Sequence, residues 1–185
     1  MSKRQEGKPV LYSYLDKQPT LGKDVFIADG AKIIGDVHID EGASIWYNSV
    51  IRGDIASIYI GKGTNIQDLS VIHVNTNVPV IIEDDVSIGH SVTLHGCTIK
   101  KGTMVGMGST ILNGAIIEEG SMVAAGSLIT ENKQFPPHVL IMGSPAKVVR
   151  ELTSDEVNAL KETAERYSQK AREHRENSPL PIAKC

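Results

Sequence analysis

An aliphatic residue recurs every six positions at Leu21, Ile27, Ile33, Ile39, Ile45 and Ile51. The period resumes at Ile60, Ile66 and Ile72, again at Ile82, Ile88 and Leu94, and then runs through Ile99, Val105, Ile111, Ile117, Val123 and Ile129. Eighteen hexads thus cover most of residues 21–134. Three places after the aliphatic residue the chain usually carries Gly, Asp or Asn, as at Gly30, Asp36, Asn48, Gly108 and Gly126, the types that tolerate positive φ. One place further stands a small or β-branched residue such as Ala31, Ser49, Ser70 or Ser109. A six-residue period is too long for one strand face and too short for a pair of helices. Each hexad therefore reads as a short strand plus a turn, and a stack of them as a parallel β-helix.

The pattern resembles the hexapeptide-repeat superfamily of left-handed parallel β-helices, in which three hexads close one triangular coil. That resemblance supplies handedness and section, which periodicity does not, and turns eighteen hexads into about six coils. The expected class is all-β with a C-terminal α-helix. Taking the three faces in chain order, the spacing breaks only at Ile51 to Ile60, Ile72 to Ile82 and Leu94 to Ile99. All three breaks fall at the corner from third face back to first, and irregularities gathered on one edge mark a working edge. The turn rule fails at Leu69, Ser91 and Cys97, and broken local rules cluster at functional sites.

Pro136-Pro137 is expected to close the repeat, and Thr153-Ser154-Asp155-Glu156 reads as a capping box opening a helix that runs to about Glu176. Its apolar positions Val157, Leu160, Ala164, Tyr167 and Ala171 fall three or four apart, a stripe that can lie on the β-helix or on a neighbouring subunit. The expected organisation is an N-terminal arm over 1–20, the β-helix over 21–150, the helix over 151–176 and a loose tail over 177–185.

Composition sharpens this picture. The chain has 185 residues, and 21 Ile and 16 Val against two Phe and one Trp describe a core that favours strands. No stretch approaches the roughly 20 apolar residues of a membrane span, and the start Met1-Ser2-Lys3-Arg4-Gln5 leads into no signal-like run. Two cysteines, Cys97 and Cys185, suit a reducing compartment rather than a disulfide framework, so a cytoplasmic protein is expected. A net charge of −3 without a long basic run argues against nucleic acid as a partner and for a small molecule.

Three of the six histidines lie in the middle coils beside the irregular corner. His73 follows Ile72 and His95 follows Leu94, so both take the outward place after the buried aliphatic residue on the third face of successive coils. Strands stack roughly 4.8 Å apart, close enough for two such imidazoles to share a metal. Arg52, after Ile51, takes the same place one coil earlier. His90 lies two places after Ile88 on the second face, in register with Asp68, and reaching His95 within one subunit would mean crossing a side and a corner. A neighbouring subunit could bring it in.

With these positions in view, the sequence resembles the gamma-class carbonic anhydrases over essentially residues 10–170. The family's metal-binding histidines fall on His73, His90 and His95, with His73 and His95 from one subunit and His90 from its neighbour. The resemblance implies a homotrimer with interfacial sites holding Zn2+, or alternatively Fe2+, and reversible hydration of carbon dioxide to bicarbonate by hydroxide on the metal. The family's Arg-Gly-Asp segment matches Arg52-Gly53-Asp54, and its Asn and Gln-Asp positions match Asn65 and Gln67-Asp68. Catalytic roles follow by implication for Arg52, Asp54, Gln67 and Asp68. Gln67 would orient the reactant and Arg52 attract the product anion. Three imidazoles with an open position also suit a catalytic rather than structural site.

The chain departs from that family in one respect. Its better-known enzymes carry proton-shuttling carboxylates on a loop after the first metal histidine, whereas the matching segment here is Asn75-Thr76-Asn77-Val78-Pro79, and Ile55 stands where they have a further glutamate. Low turnover is therefore expected. Alternatives are an acyl-CoA thioesterase or acyltransferase of the same superfamily, since relatives in carnitine and phenylacetate metabolism share these histidines, or a metal-binding trimer without catalysis. His38, His138 and His174 read as surface or packing residues, Tyr167 as packing, and Cys97 as a buried turn residue rather than a ligand.

Overall fold

The computed structural model describes residues 10–177; residues 178–185 of the expected tail and the first nine residues of the arm lie outside them. The hexads form strands mostly two or three residues long, each paired in parallel with its equivalents in the coils below and above. Every periodic aliphatic residue from Ile33 to Ile129 points into one continuous core and is almost fully buried, as Ile45, Ile66, Ile88, Leu94 and Ile111 show. Stacked β-branched side chains, each contributing roughly 1.5–3 kcal/mol by leaving water, fill most of the narrow prism, with Phe135 the one aromatic ring among its described buried residues.

The stack is one turn taller than the eighteen hexads suggest. On the second face, seven strands from Phe26–Ile27 to Val139–Gly143 stack in parallel, and Ala146–Glu151 caps them antiparallel. Pro136-Pro137 therefore does not end the repeat: Gln134–Phe135 pairs with Ile116–Ile117, and Val139–Gly143 pairs with Met122–Val123. Phe135 and Ile141 keep the six-residue spacing and stay buried, while the prolines sit in a corner, where Pro136 needs only to offer its carbonyl to Ser121 Oγ, 3.1 Å away. Corner hydroxyls repeat this device lower down, Ser49 Oγ donating to the Gln67 carbonyl at 2.9 Å and Ser70 Oγ to that of Gly89 at 3.0 Å. No buried side-chain polar atom among the described residues lacks a partner.

The irregular corner is built three ways. In the lower coils Lys32–Ile39 and Val50–Ile60 are continuous strands that bend around it, with their register shifting between Gly35 and Val37. In the next coil Asn75 and Val78 pair across a tight turn. In the coil above, the deletion makes Gly96 the left-handed residue, φ +56°, and moves Cys97 out of the turn into the buried corner opposite Ala115. Cys97 is thus core rather than turn.

The C-terminal helix α1, Ser154–Glu176, starts at the expected capping box: Thr153 Oγ1 accepts from Glu156 N at 3.3 Å and Glu156 Oε2 from Thr153 N at 2.9 Å. Arg150 clamps the same carboxylate with two 2.7 Å bonds. The helix lies on the second face of its own β-helix, burying Leu160, Ala164 and Ala171. There Trp46 meets Phe26, Tyr167 and His174 edge-on, so Tyr167 and His174 pack. None of the described helices is long and apolar enough to cross a membrane.

Candidate metal centre

Strand register places Arg52 opposite His73 and His73 opposite His95, a single outward column on the third face. His73 Nδ1 lies 3.1 Å from His95 Nε2, with ring centroids 5.0 Å apart. Asp54 joins them because residues 54–57 bulge away from the strand below, opposite Asp36. Gly53 makes the bulge feasible: a Cβ there would run into the Asp36 carbonyl. Asp54 Oδ1 sits 3.0 Å from His73 Nε2, and Asp54 Oδ2 accepts from Arg52 Nη1. Burial pushes the Asp54 carboxyl up, but the hydrogen bonds from His73 and Arg52 outweigh it and hold the group below the usual carboxylate range.

The ionised Asp54 carboxylate only accepts, so His73 must carry its proton on Nε2 and present Nδ1 as a lone pair. On the far side, His95 Nδ1 lies 2.7 Å from Asn113 Oδ1, also an acceptor, which leaves Nε2 of His95 as a lone pair. Two lone pairs aimed at each other across 3.1 Å repel unless a cation lies between them. Two imidazole nitrogens bound tetrahedrally to one zinc ion stand roughly 3.4 Å apart, close to that spacing. Each imidazole also has its outer nitrogen held by an oxygen, the arrangement that orients metal-ligating histidines. The residues present fit a divalent metal.

A second group forms at the corner between second and third faces. His90 Nδ1 is 2.8 Å from Asp68 Oδ2. Gln67, almost fully buried, donates to Asn65 Oδ1 at 3.1 Å, and Asn65 donates to Ser87 Oγ at 2.8 Å. Leu69 and Ser91, beside Asp68 and His90, adopt φ of +62° and +57°. The turn geometry is thus retained without a turn residue, at roughly 1–2 kcal/mol each. The structure therefore brings together Arg52, Asp54, His73 and His95, separately pairs Asp68 with His90, and holds Gln67 on Asn65. Among the described residues of one chain, no three His, Cys, Asp or Glu side chains are placed to hold one metal ion. Asn113 is the site residue that sequence reasoning missed: it stands two places after Ile111, where the coil below has Gly96.

The coil geometry defines a hexapeptide-repeat β-helix, and residues 18–53 and 96–131 match the family described as bacterial transferase hexapeptide (six repeats); the coils are left-handed. Among known proteins, carbonic anhydrase from Geobacillus kaustophilus is 46% identical over 161 residues, covering 87% of this chain and 88% of its own. Gamma carbonic anhydrase 1, mitochondrial, from Arabidopsis thaliana is 43% identical over 178 residues, covering 93% of this chain. This chain spans 65% of that plant protein's length and 61% of the plant's gamma carbonic anhydrase 2. A solved structure from Bacillus cereus, provisionally named an acetyltransferase, superposes with a TM-score of 0.90 at 43% identity over 91% of this chain and 98% of that one. The chain belongs to the gamma carbonic anhydrase family.

Proposed function

We propose that the protein is a homotrimeric, cytoplasmic carbonic anhydrase that interconverts carbon dioxide and bicarbonate at sites shared between subunits. The observation that carries this reading is the His73–His95 pair, with both outer nitrogens committed and both inner lone pairs convergent. His90 of a neighbouring subunit supplies the third ligand, which accounts for its distance from the pair within one chain. These three imidazoles would hold zinc, or iron(II), which when bound would lower the pKa of a water to near neutrality. Arg52 attracts the product anion while Asp54 anchors its guanidinium and orients His73. Gln67, fixed by Asn65, aligns the reactant, and Asp68 orients His90.

The test is stopped-flow hydration of carbon dioxide on anaerobically purified protein, with metal content measured in parallel and His95→Ala as control. Activity that tracks metal and vanishes in the variant supports the reading; a protein that takes up no metal sinks it. A second reading, hydrolysis of a coenzyme A thioester at the same centre, is favoured by the acid-free turn at Asn75 to Val78 and by half-exposed Ile55. Metal uptake near one per subunit without hydration would select it.

A further inference from the structure

Asn113 is not explained by its turn. Asn48 and Asn132 occupy left-handed positions that asparagine tolerates, but at this corner the left-handed residue is Gly114, φ +70°. The Asn113 side chain instead bridges two neighbours: Oδ1 faces His95 Nδ1 at 2.7 Å and Nδ2 donates to Glu131 Oε1 at 2.7 Å. Its place is held by coil-to-coil backbone bonds, Gly114 N to the Gly96 carbonyl at 2.7 Å and Asn132 N to the Asn113 carbonyl at 2.8 Å. The coil below leaves room for it, since a Cβ on Gly96 would stand 2.7 Å from Asn113 Oδ1.

We propose that Glu131, acting through Asn113, is a positioning residue that fixes the proton of His95 on Nδ1 and thereby presents Nε2 to the metal. This rests on the metal-centre reading above. An amide can turn either end toward an imidazole, and the two choices have opposite results. With Oδ1 toward His95, Nδ1 must be the N–H and Nε2 the lone pair. With the amide reversed, Nδ1 becomes the acceptor and the proton moves to Nε2, aimed at His73 Nδ1, where it blocks a ligand. An ionised Glu131 removes the second choice, because it accepts only and would then face the amide oxygen. Arg52 and Asp54 do the same for His73 from the other end. The column along the corner is thus two hydrogen-bonded chains, Arg52–Asp54–His73 and His95–Asn113–Glu131, which meet at His73 Nδ1 and His95 Nε2. The acceptors at Asp54 and Asn113 draw one proton outward from each ring and leave only those two facing nitrogens without protons.

The test measures Zn2+ affinity by competition with a chromophoric chelator on the full-length protein, and reads the His95 tautomer of the metal-free protein from its imidazole 15N shifts. Asn113→Leu removes the acceptor and should weaken zinc binding about 10- to 100-fold. Asn113→Asp combined with Glu131→Gln keeps an acceptor toward His95 without setting two carboxylates against each other, and should bind within a few-fold of wild type. Glu131→Gln is exposed and nearly isosteric, so it folds; it should leave His95 as a mixture of tautomers, with affinity between the other two. Wild-type zinc binding with unchanged affinity in Asn113→Leu, or an unchanged tautomer in Glu131→Gln, overturns this inference alone. A wild-type protein that binds no zinc overturns the metal centre and this inference with it.

Discussion

Cys97 and His95 stand two residues apart and differ in everything that governs reactivity. His95 lies in the outward column, whereas Cys97 is 2% exposed and burial pushes its thiol up to about 12, against a smaller lowering by the His95 backbone. A thiol with that environment is almost entirely protonated at neutral pH and is a poor nucleophile or ligand. Iodoacetamide at pH 8 should therefore leave Cys97 unmodified in the folded protein and label it after denaturation, read by peptide mass mapping; labelling without denaturant would mean that the corner opens. At the opposite side of the same corner, Ile55 is half-exposed, so a carboxylate there would stay hydrated. Ile55→Glu should raise hydration turnover several-fold in weak buffer and leave kcat/KM unchanged, because proton removal and substrate attack are separate steps. No gain in weak buffer would mean that protons leave by a route Ile55 does not border.

Short strands tolerate little thickness between coils, and the capping helix depends on a few charges. A Cβ on Gly106 would fall 2.5 Å from Ala125 N and 2.8 Å from the Val123 carbonyl, both backbone of the next coil. Gly106→Ala should cost about 1–3 kcal/mol in urea unfolding, the usual range for overpacking; a smaller loss would show that the coils separate easily. At the helix, Glu156 is held down to about 2, first by Arg150 and then by the Thr153 backbone. A depressed carboxyl pKa contributes stability above the ordinary glutamate value of 4.5 and loses it as pH falls through the folded value. Helix anchoring should therefore weaken from about pH 4.5 down to about pH 2, seen as far-ultraviolet dichroism loss at 222 nm that Glu156→Gln shifts to neutral pH.

The elements also show where sequence is transparent. The column Arg52–His73–His95 was legible because strand register follows the aliphatic period, so residues one place after Ile51, Ile72 and Leu94 had to coincide. Asn113 and Glu131 were not, because a corner amide has several ordinary uses and its bonds run between coils rather than along the chain. The seventh turn was hidden by Pro136-Pro137, whose side chains announce a stop although the aliphatic spacing continues through Phe135 and Ile141. Leu69 and Ser91 broke the composition rule for turns but not the backbone geometry, since neighbouring coils impose the corner on any residue placed there.

For the whole molecule, the split between the His73–His95 pair and His90 makes subunit mixing informative. If each site takes its pair from one subunit and His90 from the next, His90→Ala and His95→Ala are each inert alone. Refolded together, mixed trimers with closed symmetry regain one complete interface, so zinc binding should return to about a third of the sites. No recovery in verified heterotrimers would mean that each site is built within one chain.

Because the polar column climbs through five successive coils, with only Arg52 and Asp54 sharing one, the site is written along the prism axis while the chain runs around it. Length and function are then separable in a way that few folds permit. One whole coil of three hexads inserted above Phe135 would lengthen the prism and return every side chain to its own face. A single hexad inserted between Ile72 and Leu94 would instead turn His95 onto a different face from His73 and dismantle the pair while leaving the core periodicity intact. Growth by whole coils is neutral to the chemistry; growth by hexads is a rotation.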